Sequence, residues 1–250
     1  MNLLSLNLHS YQEKNAYAKL AMVADAIINQ KIDVICLCEC AQSILAKTIK
    51  GEIKANNAAY IIQQLIQERS GLHYELRYTT THISYLGYEE GLAILSIYPV
   101  HCDFNFFISK QRHYLSNKSR KALQVILNID EQQIAIYNAH FGFDTKNKFI
   151  DQFHRIHTYI SFFNYPTIIS GDFNIDSKSQ EYYEMMQYGY QDCSSLNEQS
   201  KHEPTWFQGK AKGHLDYILT ETKIRLLDYS SMFIHQRVSD HLGVCASLQL

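Results

Sequence analysis

The sequence predicts an α/β fold in which two layers of β-sheet enclose the core. Three observations support this class. The chain opens with a strand, a helix and a second strand, four strand-like runs follow between residues 74 and 140, and the remainder alternates helices with strands. No linker, repeat or block of charge marks a boundary, so we expect residues 1–250 to form one domain.

The composition excludes several classes of protein. Of the 250 residues, 46% are hydrophobic and 12% aromatic, which is typical of a chain that buries a large core rather than of a disordered one. Three Pro and ten Gly are too few for a collagen-like or linker-rich architecture. No apolar run approaches the roughly 18 residues of a membrane span, and the start MNLLSLNLH lacks the basic region of a signal peptide. We therefore expect a cytoplasmic protein with no membrane partner.

The opening elements are predicted from the spacing of apolar residues. Residues 2–8 and 31–39 resemble strands, and residues 15–30 between them have apolar side chains at helical spacing. The buried face expected for this helix consists of Tyr17, Leu20, Ala24, Ile27 and Ile28. A second helix is predicted over residues 57–69, with a buried face at Ala58, Ile61, Ile62, Leu65 and Ile66.

Three cysteines alternate in the second predicted strand. In a regular strand Cys36, Cys38 and Cys40 share one face, and Glu39 lies on the other. Zinc sites usually add a second pair of ligands downstream, and the three remaining cysteines do not supply such a pair. We therefore favour reduced cysteines with a structural role in the core over a metal site.

The middle of the chain is predicted to form mainly antiparallel strands. Residues 74–80, 91–98, 122–129 and 133–140 have strand composition, and several connections between them are too short for a parallel crossover. The C-terminal part is predicted to contain helices and strands at residues 146–162 (helix), 166–174 (strand), 179–187 (helix), 214–220, 226–234 and 243–250 (strands).

Polar residues interrupt the ends of these apolar strands. The candidate site residues are Asn7, Glu39, His140, Asp172, Asn174, Asp216, Asp240 and His241. Each has an ordinary alternative on its own: Glu39 as a surface residue of an edge strand, for example, or Asp172 and Asn174 as part of a turn. Gathered from the ends of neighbouring strands, they form a hard, oxygen-rich set that suits Mg²⁺ or Mn²⁺ better than Zn²⁺.

These residues belong to motifs that resemble those of the endonuclease/exonuclease/phosphatase superfamily. The motifs are N-L at Asn7, C-E-C around Glu39, E-E-G-L-A-I-L-S at 89–96, N-A-H at 138–140, S-G-D-F-N at 170–174, H-L-D-Y-I-L at 214–219 and S-D-H-L-G-V at 239–244. The resemblance spans nearly the whole chain. It implies a four-layered α/β sandwich, in which two mixed β-sheets pack face to face with helices outside and the site lies at one end of the sheets.

The resemblance also implies a metal and a nucleophile. Glu39, with Asn7 beside it, is expected to hold the divalent ion that polarises the scissile phosphate. Asp172, helped by Asn174, is expected to orient or deprotonate the attacking water. Asp240 is expected to complete the binding of metal or water.

The two histidines are implied to contact the phosphate. His241, braced by Asp216, is expected to donate a hydrogen bond to the developing phosphoryl charge, and His140, steadied by Glu90, to contact a non-bridging oxygen. The sequence departs from the usual motifs beside these residues, since Ala139 and Phe141 flank His140 where T-H-L is common and His214 stands where an Arg is common. These differences alter the rim of the predicted pocket rather than the metal ligands.

The charge of the chain bears on its substrate. A net charge of −2 and a pI of about 6.6 disfavour a nuclease that grips a DNA duplex, because such enzymes present a strong basic face. The local basic residues lie at 110–121, and among them Arg120 is a candidate phosphate ligand; the alternative is a solvated loop. Six aromatic residues are expected either to stack on a sugar or to anchor loops to the core: Tyr85, Tyr88, Phe141, Phe143, Trp206 and Phe207.

A finer resemblance narrows the choice. Asn57 at the start of a helix, together with residues 82–95, 108–110 and 120–123, is similar to bacterial members typified by maltose 6'-phosphate phosphatase. This implies a phosphomonoesterase acting on a small sugar phosphate. The alternatives are a DNA endonuclease or exonuclease of the same superfamily and, from a different class, a binding module without activity. The sequence makes no prediction of the oligomeric state.

Overall fold

A computed structural model describes residues 1–85, 87–142, 148–196 and 202–250. In chain order the strands are β1 (Asn2–Asn7), β2 (Val34–Ser43), β3 (Thr48–Lys50), β4 (Ile53–Lys54), β5 (Glu75–Ile83), β6 (Tyr88–Ser96), β7 (Val100–Phe107), β8 (Lys121–Ile129), β9 (Gln132–His140), β10 (Thr167–Asp172), β11 (Gln191–Asp192), β12 (Trp206–Gln208), β13 (Ala211–Gly213), β14 (Asp216–Thr220), β15 (Arg225–Met232) and β16 (Gly243–Gln249). The helices are α1 (Ala16–Asn29), α2 (Ala58–Ser70), α3 (Phe149–Ser161), α4 (Gln180–Met186) and α5 (Cys193–Leu196), and a 3-10 turn covers Ser10–Gln12.

Two mixed sheets of six strands form the centre of the described structure. The first has the order β15-β16-β1-β2-β6-β5 and the second the order β11-β14-β10-β9-β8-β7. The pairs β1-β2 and β9-β10 are parallel, and the other pairs within these sheets are antiparallel. Hairpins β3-β4 and β12-β13 lie outside the two sheets. The predicted pair of mixed sheets is confirmed.

Three apolar clusters hold the layers together. The inter-sheet cluster contains side chains from both sheets, among them Cys36 and Ile94 of the first and Ile136 and Ile168 of the second. A second cluster packs α1 and α2 against the first sheet, and a third packs α3 and α4 against the second sheet. The result is the expected order of helix, sheet, sheet and helix, because each sheet is apolar on both faces.

Several predicted details need correction. Tyr17 is 61% exposed and therefore lies outside the buried face of α1, where Leu20, Ala24 and Ile27 are buried as predicted. Strand β7 was not predicted, because four of its eight residues are exposed and its apolar positions do not alternate clearly.

Among its described residues, the structure has no helix that is long and apolar enough to cross a bilayer.

The prediction that three cysteines share one face of β2 is wrong for Cys40. Cys36 and Cys38 belong to the inter-sheet cluster, but Cys40 packs in the cluster beneath α1 and α2. The cause is a bulge, since the pairing of β2 with β6 shifts between Leu37 and Cys40. One extra residue in β2 reverses the side-chain alternation that a regular strand would have kept.

Candidate active site

The inter-sheet core becomes polar at one end of the two sheets. Along β1 the inward side chains change from Leu3 to Asn7, and along β10 they change from Ile168 to Asp172. Asn7 is 1% exposed and Asp172 2% exposed, so both polar groups are buried at the end of an apolar layer. Buried polar groups need partners, and here these partners come from the facing sheet.

The bulge in β2 places Glu39. Its backbone is left-handed, with a φ of 46°, a conformation that is uncommon for a residue other than glycine. The hydroxyl of Ser10 donates to the Glu39 carbonyl oxygen and accepts a hydrogen bond of 3.2 Å from the Ala41 amide, which supports the irregular backbone. As a result the Glu39 carboxylate faces Asn7 at the polar end of the core, although the strand itself continues to Ser43.

The neighbouring residue Gly171 places Asp172. Its φ is +137°, and a side-chain Cβ at this position would lie 1.9 Å from the carbonyl oxygen of Ala139 on the adjacent strand β9. Only glycine permits this close approach. Asp172 therefore lies directly beside His140 of β9 on one side and Asp216 of β14 on the other.

Asn7 connects two carboxylates. Its Nδ2 lies 2.9 Å from Glu39 Oε1 and 3.0 Å from Asp172 Oδ2, so one amide serves groups from both sheets. Burial, and then the negative charge of Glu90, raise the pKa of Glu39 to about 7. Burial also raises the pKa of Asp172 to about 6. Two buried carboxylates with raised pKa values are typical of a site that holds a cation or moves a proton.

A second set of contacts orients His241. Its Nδ1 lies 2.8 Å from Asp216 Oδ2, and the Thr205 hydroxyl donates to the same carboxylate oxygen at 2.6 Å. Burial lowers the pKa of His241, but the charges of Asp216 and Asp172 and the hydrogen bond outweigh burial and raise it to about 10. His241 Nε2 lies 3.7 Å from Asp172 Oδ2, so an imidazole with a raised pKa lies beside this carboxylate.

His140 has the opposite electrostatic character. Burial, and then the positive charge of Arg120, lower the pKa of His140 well below its ordinary value. Its Nε2 lies 3.0 Å from Asn174 Nδ2, which fits a neutral ring accepting from the amide, and 3.5 Å from Asp172 Oδ2. The partner that the structure gives His140 is therefore Asn174. Glu90 contacts other residues.

Glu90 lies on the wall of the same cavity. It accepts a hydrogen bond from the Ser84 hydroxyl, lies 3.4 Å from Gln12 Nε2 and lies 3.5 Å from His82 Nε2. His82 was not identified from the sequence as a site residue, although it opens the H-I-S segment used in the finer resemblance. Burial and the charge of Arg120 lower its pKa to about 4.

Asp240 lies at the rim, about 30% exposed. His9 Nδ1 lies 3.6 Å from Asp240 Oδ1 and 2.7 Å from Glu13 Oε1, and Glu13 also pairs with Lys19. Burial lowers the pKa of His9, but the Glu13 hydrogen bond and the nearby carboxylates raise it above the ordinary value. Sequence analysis missed His9, because a lone histidine after a strand has many ordinary explanations.

A cavity of about 730 Å³ joins these residues. All the candidates except Asn7 and Asp216 line it, and Asn117, Lys118, Arg120 and Trp206 form part of its rim. The six aromatic residues that were predicted either to stack on a sugar or to anchor loops have different locations in the structure. Trp206 lines the cavity, whereas Phe141 is fully buried in the cluster beneath α3 and therefore cannot stack on a substrate. Phe143 lies outside the described residues.

The other three aromatic candidates contact protein groups. Tyr85 and Tyr88 stack with their ring centroids 5.9 Å apart, and Tyr88 also meets Tyr11 at 5.0 Å. Phe207 lies beneath the Arg237 guanidinium, 4.0 Å from the ring centroid. Among the described residues of the six aromatic candidates, Trp206 is therefore the one that lines the cavity.

Comparison with known proteins agrees with this architecture. A structure of an endonuclease/exonuclease/phosphatase family protein from Leptotrichia buccalis C-1013-b superposes with a TM-score of 0.92 at 23% identity, covering 100% of both chains. A mannosyl-6-phosphatase of Bacteroides thetaiotaomicron VPI-5482 has a TM-score of 0.72 at 14% identity, again covering 100% of both. The human Nocturnin catalytic domain with bound sulfate has a TM-score of 0.71 at 14% identity, covering 100% of this chain and 93% of that one. At these identities the likeness shows the fold.

The family itself is shown by sequence. No curated protein sequence matches the chain significantly. The model of the endonuclease/exonuclease/phosphatase family, however, matches residues 4–241, a range that contains every candidate site residue. The chain therefore belongs to the endonuclease/exonuclease/phosphatase family.

Proposed function

We propose that this protein is a divalent-metal-dependent hydrolase that releases phosphate from a small sugar phosphate. Enzymes of this family hydrolyse phosphoester bonds. One observation carries the proposal: Asn7 lies within hydrogen-bond distance of the carboxylates of Glu39 and Asp172, and these carboxylates line one cavity together with His241 and Arg120. The two carboxylates can bind a metal ion, and His241 and Arg120 can bind the oxygens of a phosphate ester in the same cavity.

The donor chemistry fits Mg²⁺ or Mn²⁺. Glu39, His140 and Asp172 each offer a ligand atom, and these three atoms lie within 4.8 Å of one another. Asp216 Oδ1 is buried and has no hydrogen-bond partner among the described residues, while Oδ2 of the same carboxylate pairs with His241. We propose that Glu39 is the principal metal ligand, with Asn7 beside it and Asp240 completing the binding of metal or water at the rim. The bound ion would act as a Lewis acid on the scissile phosphate.

Asp172 is proposed to orient and deprotonate the attacking water. Its raised pKa of about 6 makes the carboxylate a better proton acceptor than an ordinary aspartate while leaving it mostly ionised at neutral pH. The backbone amide of Asn174 donates to Asp172 Oδ1 at 2.9 Å and so fixes one oxygen of the carboxylate. The other oxygen lies between Asn7, His140 and His241.

The two histidines are proposed to serve the phosphate oxygens. His241 is protonated at neutral pH because Asp216 stabilises its charge, so Nε2 can donate to a non-bridging oxygen. His140 is neutral in the structure, and its Nε2 accepts from Asn174. To contact a second oxygen, His140 must carry its proton on Nε2 and exchange the Asn174 amide for the phosphate.

The cavity wall supports a small substrate. Arg120 is 7% exposed, so it can grip a terminal phosphate within the cavity but cannot form a long basic track for a duplex. The Glu90 carboxylate accepts only, which suits sugar hydroxyls and repels a second phosphate. Trp206 offers a ring for the apolar face of a sugar. The mannosyl-6-phosphatase among the structural neighbours is consistent with this choice.

The compartment proposed is the cytoplasm. All six cysteines are free thiols, and four of them are buried in the core. Reduced cysteines are typical of cytosolic proteins.

A phosphate-release assay tests the proposed function. Wild-type protein in Mg²⁺ is compared on a panel of hexose and disaccharide phosphates, on plasmid DNA and on single-stranded DNA, and Asp172→Asn serves as the inactive control. We expect phosphate release from at least one sugar phosphate and weak, strongly salt-dependent DNA binding. Plasmid cleavage faster than phosphate release from every sugar phosphate would favour the nuclease alternative. Inactivity on all substrates with intact metal binding would favour a binding module.

A further inference from the structure

The segment between β7 and β8, residues 108–120, is called the basic loop here. It connects two strands of the second sheet but makes contacts with the first sheet. We infer that Glu89, a buried residue outside the cavity, positions the basic loop through Tyr114 and thereby holds Arg120 in the substrate-binding wall. The inference rests on the proposed function in one respect, which is that Arg120 binds the substrate phosphate.

The base of the basic loop is tightly closed. The Ile108 amide donates to the Arg120 carbonyl at 2.9 Å, and the Arg120 amide donates to the Ser109 hydroxyl oxygen at 2.8 Å. Within the loop, the Ser119 hydroxyl donates to the His113 carbonyl at 2.8 Å. Ser109 and Ser119 are fully buried. The loop is therefore an ordered unit whose tip at Tyr114 is connected to Arg120 at its base.

Two contacts of Tyr114 attach the tip of this unit to the first sheet. The Ile83 amide of edge strand β5 donates to the Tyr114 carbonyl at 2.8 Å. The Tyr114 hydroxyl donates to the carboxylate of Glu89 on β6. The backbone contact holds the loop tip at the edge of the sheet, on β5. The side-chain contact holds it to Glu89 on β6, so Tyr114 contacts both strands of this pair.

Glu89 is suited to this task because it is charged and rigidly held. It is 6% exposed, with Gln42 Nε2 at 2.6 Å and Lys54 Nζ at 2.9 Å from Oε1. Burial raises the pKa of Glu89, but the hydrogen bonds from Tyr114, Lys54 and Gln42 outweigh burial and lower it. A hydrogen bond to an ionised acceptor is stronger than one between neutral groups.

Glu89 acts from outside the cavity. Neighbouring residues of a strand point to opposite faces, and β6 has no extra residue in its pairing near this point. Glu90 lines the cavity with Arg120, whereas Glu89 contacts Gln42 and Lys54 on the other side of the sheet. Glu89 is thus a positioning residue, and its effect on substrate passes through Tyr114.

The orientation of Arg120 depends on the loop backbone. Arg120 Nη1 donates to the carbonyl oxygens of Asn117 at 2.7 Å and Ser119 at 3.1 Å, so the guanidinium follows the backbone of the loop. After burial, the charge of Arg120 is the next cause of the low pKa values of His82 and His140, which places the guanidinium beside the candidate site. Movement of the loop tip would therefore displace Arg120 relative to the phosphate.

The test uses Tyr114→Phe, which removes one hydroxyl. With a sugar phosphate turned over by the wild type, we expect KM to rise about tenfold with kcat within about twofold, since one hydrogen bond to a charged group is lost. Glu89→Gln should change KM in the same direction. The matched control is Tyr74→Phe, which removes the hydroxyl of a tyrosine just before β5. This hydroxyl donates to the Ile32 carbonyl just before β2, and its loss should leave KM unchanged.

A double-mutant cycle separates positioning from general destabilisation. In an Arg120→Ala background, Tyr114→Phe should raise KM no further, because the positioned group is already absent. An equal rise in both backgrounds, or a loss of kcat with KM unchanged, would overturn the inference. Hydrogen exchange at the Ile83 amide provides a readout that needs no substrate, and we expect faster exchange in Tyr114→Phe than in wild type.

Failure of the inference and failure of the proposed function give different results. If wild type hydrolyses no phosphomonoester, the proposed function fails. The inference then rests on exchange at Ile83 and on calorimetric binding of inorganic phosphate, which Tyr114→Phe and Arg120→Ala should weaken alike. If wild type is active but Tyr114→Phe matches it in KM and in exchange at Ile83, the inference fails and the proposed function stands.

Discussion

Asn7 and Asp172 belong to different sheets and are 165 positions apart, yet Asn7 Nδ2 lies 3.0 Å from Asp172 Oδ2. The same amide lies 2.9 Å from Glu39 Oε1. The packing of the two sheets therefore sets the distance between the two carboxylates.

Removing this amide should weaken metal binding. Asn7→Ala leaves the carboxylates of Glu39 and Asp172 without their shared donor, and we expect calorimetric affinity for Mg²⁺ to fall by about 10–100-fold. The matched control is Asn138→Ala. Asn138 also bridges the sheets, donating to the carbonyls of Leu37 at 2.9 Å and Ala93 at 3.1 Å. This control should lower the free energy of unfolding while Mg²⁺ affinity stays near that of wild type; a similar loss of affinity in both variants would contradict the role of Asn7.

Asp216 and His241 should act as a unit. The carboxylate fixes the imidazole and keeps it protonated, so Asp216→Asn and His241→Ala disable the same hydrogen-bond donor. We expect the double variant to lose about as much kcat as the more damaging single variant. If the loss in the double variant equalled the product of the two single losses, the residues would be acting independently.

Gly171 should tolerate no side chain. A Cβ there would lie 1.9 Å from the Ala139 carbonyl oxygen, so Gly171→Ala must separate β9 from β10 beside Asp172. We expect a loss of about 3 kcal/mol or more in the free energy of unfolding, together with reduced kcat. Gly209→Ala is the control, because Gly209 also has a positive φ but has no atom within 4 Å of the added Cβ. Chemical denaturation distinguishes the clash from the strain of a left-handed backbone alone, which costs about 1–2 kcal/mol.

Asp192 should make stability depend on pH in the acid range. It is fully buried, with Tyr182 Oη at 2.9 Å and His202 Nε2 at 3.2 Å from Oδ2. Burial raises its pKa, but the hydrogen bond from His202 and the other donors outweigh burial and lower it. A lowered folded-state pKa contributes stability above the unfolded value, near 4, and this contribution is lost as the pH falls towards the folded value.

The measurement is the free energy of unfolding against pH for wild type and Asp192→Asn. Below about pH 5 the wild type should lose stability more steeply than the variant, so that the two curves converge. Asp130→Asn removes an exposed carboxylate and controls for net charge. Parallel curves for wild type and Asp192→Asn would show that Asp192 keeps its ordinary pKa on folding.

The sequence predicts the fold well where apolar periodicity is regular. Strands β8 and β9 begin and end within a residue of their predicted bounds, because each is bounded by a turn and buried along nearly its full length. The periodic pattern failed at Cys40, since a bulge at Glu39 depends on a pairing with β6 that no local pattern encodes. It also failed for Tyr17, an apolar ring at a helical position that lies on the solvent side.

The site residues were predictable in kind, but only some of their contacts were. The structure has the expected pairs of His241 with Asp216 and of Asn7 with Glu39. Polar groups at strand ends identified Asp172 and His140, and the structure places them side by side on β9 and β10. The partner of His140 was not predicted, because Asn174 reaches it only through the turn that follows β10. Contacts between a loop of one sheet and a strand of the other, such as Tyr114 with Glu89, have no signature in the sequence.

The measurement that tests the central claim most directly is Mg²⁺ binding and phosphate release by wild type and Glu39→Gln in parallel samples. The substitution keeps the shape of the side chain but removes the charge that a divalent ion requires. We predict that Glu39→Gln folds with a circular dichroism spectrum like that of wild type, binds Mg²⁺ at least about tenfold more weakly and has kcat lower by about 100-fold or more. Unchanged Mg²⁺ affinity in a folded Glu39→Gln protein would contradict the assignment of Glu39 to the metal and with it the proposed centre of this site.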